Sequence, residues 1–175
     1  MRRLSLALAA IGLLASTWVV AAPAQAGGAL DLTCQGSQTV NYAPGLIVTP
    51  KQVVYTAHDD FTSCTSVQDP SIKTGTHTAT AQAPLSCLAV LTPVSGTKTF
   101  TWNNKQTSVF TYSSSVSQVL GSTVVTLTGT ITSGKFMGDT AVQVVTTASA
   151  NPLGCLASPG VTDAQGSSTL VVTGS

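Results

Sequence analysis

Hydrophobic and polar residues alternate along most of the chain with a period of two. "VTLTGTIT" (Val125 to Thr132) is the cleanest stretch: Val125, Leu127, Gly129 and Ile131 face one way and four Thr face the other. Such alternation predicts strands with one dry face, because successive side chains on an extended backbone point to opposite sides. The same pattern is present in Ser37–Tyr42, Gln52–Phe61, Thr74–Ala81 and Thr97–Trp102. It returns in Thr107–Tyr112, Ala141–Thr147 and Ser168–Thr173, giving about eight strands with turn residues between them. No helical period of useful length follows residue 26. The expectation is an all-β, antiparallel sandwich. Residues 148–167 form the longest stretch without a strand pattern and read as a loop tethered by Cys155.

The aromatics sharpen this picture. Phe100, Trp102, Phe110 and Tyr112 are half of the eight aromatic residues after position 26, gathered into thirteen residues. Asn103-Asn104-Lys105-Gln106 is turn chemistry, so the segment predicts a hairpin. A two-residue loop at Asn104-Lys105 would set Phe100 opposite Val109 and split the rings between faces. A three-residue loop would set Phe100 opposite Phe110 and put all four rings on one face, where they suit a core. A ligand surface is the competing use of the same rings, with Trp102 and Tyr112 as its candidates.

The N-terminus changes the domain count. Arg2 and Arg3, the mostly apolar run Leu4–Ala22 and the small residues Ala24 and Ala26 predict a secretory signal peptide over residues 1–26. Residues 27–175 are then one domain. An uncleaved anchor is the alternative, since the run is about long enough to span a bilayer. The small-residue site directly behind it favours cleavage, which leaves no membrane segment. After position 26 there are five Lys, six Asp, no Arg and no Glu, against 45 Ser and Thr. A surface so poor in cations has no grip on phosphates, which argues against nucleic acid and anionic membranes as partners.

Four Cys remain, Cys34, Cys64, Cys87 and Cys155, an even number that in an exported chain predicts two disulfides. Three pairings are possible. Cys34–Cys64 is preferred because an antiparallel pair folded at the Pro44–Pro50 turn brings these two to the same end. Cys87–Cys155 follows by elimination.

Little chemistry stands out. His58-Asp59-Asp60 is the most reactive-looking cluster, but neighbours on a strand point to opposite faces, and no G-x-S-x-G elbow marks a nucleophile. His58, His77 and scattered Asp have no metal-ligand spacing, so no metal and no cofactor are expected, and His77 reads as a satisfied, half-buried residue. The missing Glu weighs against an ordinary glycosidase. The expected catalytic residues are none.

"CQGSQTVNYAPGL" (Cys34 to Leu46), "FTSC" (Phe61 to Cys64) and "TFTWNNKQTS" (Thr99 to Ser108) give the chain its family likeness. It resembles the small secreted proteins of unknown function common in actinobacteria. In this chain Asn104-Lys105 stands where their hairpin often has Asp-Gly. The resemblance implies an immunoglobulin-like β-sandwich and export, and says nothing specific about activity. The resulting expectation is a secreted, non-catalytic binding module that meets an extracellular or cell-wall partner. Two alternatives stay open. One is a carrier of a small apolar ligand; the composition is similar to that of secreted apoproteins that hold enediyne chromophores, though no motif of theirs is matched. The other is an extracellular enzyme, a hydrolase, or an inhibitor of such an enzyme, the inhibitor with Ala150–Gly160 as its exposed loop. Leu153 and Leu156 are the ligand-binding candidates in that loop.

Overall fold

The computed structural model describes residues 28–148 and 152–175. The predicted signal peptide and its cleavage site lie outside the described residues, as do residues 149–151. The described residues form eight strands: β1 (Leu30–Leu46), β2 (Lys51–Ser66), β3 (Gly75–Leu85), β4 (Ser95–Trp102), β5 (Thr107–Val119), β6 (Ser122–Gly134), β7 (Thr140–Ala148) and β8 (Val161–Thr173). A short helix α1 (Pro152–Leu156) precedes β8, and one 3₁₀ turn (Ala89–Leu91) lies between β3 and β4.

Each strand pairs antiparallel with the next, and β8 pairs with β1 from Leu30 opposite Thr173 to Leu46 opposite Val161. That last ladder closes the sheet into an up-and-down barrel. The expected immunoglobulin-like sandwich is therefore wrong. Alternation alone cannot separate the two folds, since both bury one face of every strand. What separates them is whether the first and last strands pair, and that contact joins residues more than a hundred positions apart.

The strands also run longer than their apolar alternation. Ser113–Val119 and Asp163–Ser167 lack a clear hydrophobic rhythm, yet both are laddered, the first to β6 and the second to β1. Main-chain pairing with that neighbour holds each segment without a buried side chain at every second position. The loop predicted over residues 148–167 is correspondingly shorter, since β8 starts at Val161.

The aromatic hairpin has a three-residue loop, Asn103 to Lys105, with Lys105 at φ 68° and its N–H bonded to the Trp102 carbonyl at 2.9 Å. Phe100 stands opposite Ser108, and Phe110 opposite Lys98, two positions from the predicted register. A shift of two keeps every side chain on its face. Phe100, Trp102 and Phe110 are thus all buried, with Tyr112 packed against them. The rings of Phe100 and Phe110 stack across the diagonal at 6.1 Å, and Trp102 meets Phe136 edge-on at 6.2 Å. Gly75 faces Trp102 across β3 and β4, where a Cβ would stand 2.5 Å from the indole.

The ladder between β3 and β4 has only two residue pairs, Gly75–Trp102 and Thr76–Thr101. Directly above them the buried His77 bridges the gap, donating from Nδ1 to the Thr99 carbonyl at 3.0 Å. Beyond His77 the two strands part, and Ala79 and Ala81 are exposed.

Two disulfides are present, Cys34–Cys64 and Cys87–Cys155. The first joins directly opposed residues of β1 and β2, with Cα atoms 4.1 Å apart. The second ties the β3–β4 connection to α1. Both are consistent with an extracellular protein.

A candidate ligand chamber at one end of the barrel

Inward-facing residues come in layers. Leu32, Phe61, Ile72, Phe100, Trp102, Phe110, Ile131, Leu170 and Val172 fill the end that carries the Cys34–Cys64 bridge. Above this plug the inward positions turn polar. Asp59 on β2 is fully buried and accepts three hydrogen bonds: from Lys98 Nζ at 2.8 Å, Gln38 Nε2 at 2.7 Å and Gln143 Nε2 at 2.9 Å. Lys98 also donates to Gln143 Oε1 at 3.0 Å, and Gln143 donates to Ser168 Oγ at 2.9 Å. Five strands meet in this cluster. The carboxylate and the ammonium neutralise each other, and the amides saturate what remains, which is what a buried pair needs to persist.

Beyond the polar layer the side chains become small or stop short. Val40, Tyr42, Val125, Val145, Val161 and Ala164 surround a cavity of about 600 Å³, with Gln38 at its floor. That lies within the range of about 300–1,000 Å³ usual for small-molecule sites. Leu88, Val90 and Leu91 from the β3–β4 connection and Leu156 from α1 come over the opening. Cys87 and Cys155 also line it, so the second disulfide holds two covering segments together. Polar wall positions are Gln118, Thr123, Thr147 and Gln165, with Asp163 exposed at the rim. Burial and the neighbouring Tyr55 push the Tyr42 phenol up to about 12, so it stays protonated and can donate a hydrogen bond.

The structure separates the residues the sequence singled out. Leu156 lines the cavity; Leu153, on the same short helix, is exposed and does not. Trp102 lies at the filled end, its Nε1–H donating to Ser108 Oγ at 2.9 Å, away from the cavity. Tyr112 is half-buried against Phe110, ring centroids 5.4 Å apart, and is also absent from the cavity wall. Its phenol is raised by burial. His58 and Asp59 occupy opposite faces: His58 is outside, with Nδ1 2.8 Å from Thr78 Oγ1, while Asp59 is inside. Among the described residues no group of three His, Cys, Asp or Glu side chains is placed to hold a metal.

Sequence reasoning missed the polar layer and most of the wall. A signal existed: Lys98 shares the alternating face of Phe100 and Trp102, and Gln143 stands between Ala141 and Val145 on theirs. A polar residue at an inward position announces a partner at another inward position.

Fold and site together define a closed eight-stranded antiparallel barrel, filled at one end and hollow at the other above a charge-neutral floor. Comparison of the chain with protein-family models, curated proteins and solved structures finds no match.

Proposed function

We propose that this is an exported, non-catalytic protein that carries one small, largely apolar molecule in the hollow end of its barrel. The cavity carries the reading: a partly open space of about 600 Å³, lined largely by Val and Leu, in a molecule whose other end is packed. Closed antiparallel barrels of eight strands are wide enough to hold one small ligand when side chains do not fill them. Export is supported by the leader-like N-terminus and by the two disulfides. The apolar residues Val48, Leu88, Leu120 and Leu156 stand exposed on the four connections at this end, which suits entry of an apolar ligand from an extracellular or cell-surface source. The inhibitor reading is less well supported, because Leu156 and Cys155 of the Ala150–Gly160 segment take part in covering the cavity.

The test is titration of the oxidised protein, residues 27–175, with the neutral fluorophore N-phenyl-1-naphthylamine. Saturable enhancement at one probe per chain is expected, abolished when Val145→Trp fills the cavity. Absence of saturable binding, or binding indifferent to Val145→Trp in a folded variant, would contradict the carrier role.

A further inference from the structure

The floor and walls of the cavity differ in a way that selects among apolar ligands. Among the described residues the lining contains no Lys, Arg or His, and its one charged side chain, Asp163, sits exposed at the rim and already accepts from Thr162 Oγ1 at 3.2 Å. Lys98, the cation of the polar layer, is committed to Asp59 and Gln143. A ligand carboxylate pushed to the floor would find no free counter-charge. A ligand ammonium at the floor would find the Asp59 carboxylate already carrying three donors. Burying either charge unpaired is costly.

An uncharged polar group meets no such penalty. Gln38 belongs both to the polar cluster and to the cavity lining. Its Nε2 donates one N–H to Asp59, which leaves the amide oxygen as an acceptor and the second N–H as a donor for a ligand. Tyr42, two inward positions further along β1 towards the mouth, offers a further donor in the same wall. One acceptor and one donor at the inner end of an apolar shaft match a hydroxyl or a carbonyl.

Building on the carrier reading, we infer that the ligand is a neutral amphiphile: an apolar body with one uncharged hydroxyl or carbonyl head that enters first and seats against Gln38. The barrel discriminates by charge at the floor. Long-chain alcohols and similar neutral lipids are accepted, whereas fatty acids and alkylamines of the same length are rejected.

The experiment displaces bound N-phenyl-1-naphthylamine with 1-dodecanol, dodecanoate and dodecylamine, each below its micellar concentration. At neutral pH the alcohol should bind at least about tenfold more tightly than either ion. The gap to dodecanoate should close as pH falls through the carboxylic range, about 4–5, where the acid becomes neutral. Gln38→Leu should weaken dodecanol about five- to tenfold more than it weakens the fluorophore, the loss of one hydrogen bond. Gln38→Met serves the same purpose should the leucine variant not fold. Dodecanoate or dodecylamine equal to the alcohol at neutral pH, or a dodecanol affinity indifferent to Gln38, would overturn the inference while the carrier reading stands. Failure of the fluorophore and all three chains to bind would remove the carrier reading itself.

Discussion

Leu170 and Leu46 are both buried, yet they live in different solids. Leu170 is fully enclosed among Phe100, Phe110, Ile131 and their neighbours at the filled end of the barrel. Leu46 is enclosed just as well, but one side of it faces the cavity. The same eight strands build both ends, so the difference lies in which residues occupy the inward positions. Phe61, Phe100, Trp102 and Phe110 reach across the barrel at one end, while Val40, Val125, Val145 and Ala164 leave a space at the other. Between them the Asp59–Lys98–Gln143 layer acts as a bulkhead. A barrel of this size becomes a container by the choice of side-chain volume at about half a dozen sites.

The largest expected effect is on that bulkhead. Lys98→Met leaves Asp59 as a buried carboxylate without its counter-ion and should cost about 3–5 kcal/mol in urea unfolding, close to the whole stability of a marginal domain. The pair Lys98→Met with Asp59→Leu should recover most of that loss, because both charges leave together. A double variant no better than the single would show that the layer is not held by the ion pair.

Next come the bridges, one at each end. Replacing either Cys pair by Ser should lower stability by about 2–5 kcal/mol. The ends should then part company. Loss of Cys87–Cys155 frees two segments that cover the cavity, so ligand affinity should fall as well; loss of Cys34–Cys64 should leave affinity of the folded protein unchanged. Equal effects on affinity would erase the distinction between the ends.

The two leucines give a finer test at fixed chemistry. Leu170→Ala opens a new void in packed surroundings and should cost about 3–5 kcal/mol, whereas Leu46→Ala only enlarges an existing space and should cost about 2 kcal/mol less. Parity between them would mean that the hollow end is filled in solution.

The smallest effects are those of pH. Burial holds the His77 imidazole below its ordinary value, so the folded state takes up that proton less readily than the unfolded chain. Its contribution is full above about 6.5 and is lost as pH falls below that point. His77→Gln should flatten this part of the Tm profile. Asp139, buried beside Asp31 at the filled end, has the opposite sign. Its carboxyl is raised by burial and by Asp31, so its contribution is full at acid pH and is lost as pH rises through the raised value. Asp139→Asn should therefore raise Tm at neutral pH and do little at pH near 3. A uniform shift at all pH values would place the effect elsewhere than in titration.

How much of this could be read in the sequence differs between the two ends. The filled end was legible, because Phe100, Trp102, Phe110 and Tyr112 advertise their shared face by strict alternation. Even there the register was displaced by two, since Asn103-Asn104-Lys105-Gln106 supports more than one three-residue loop and only Lys105 at positive φ reveals which formed. The hollow end was illegible for a physical reason: an empty space has no residues of its own. Its walls are ordinary Val and Ala on inward positions, indistinguishable from a core until the ladder of β1 with β8 sets the barrel's width.

The central claim is that the space above Gln38 is a ligand chamber, and methyl NMR addresses it most directly. On titration with N-phenyl-1-naphthylamine, the methyls of Val40, Val125, Val145 and Leu46 should shift together and saturate, while those of Leu32, Ile131, Leu170 and Val172 stay in place. Shifts at the filled end, shifts confined to outward-facing methyls, or no shifts at all would contradict the account.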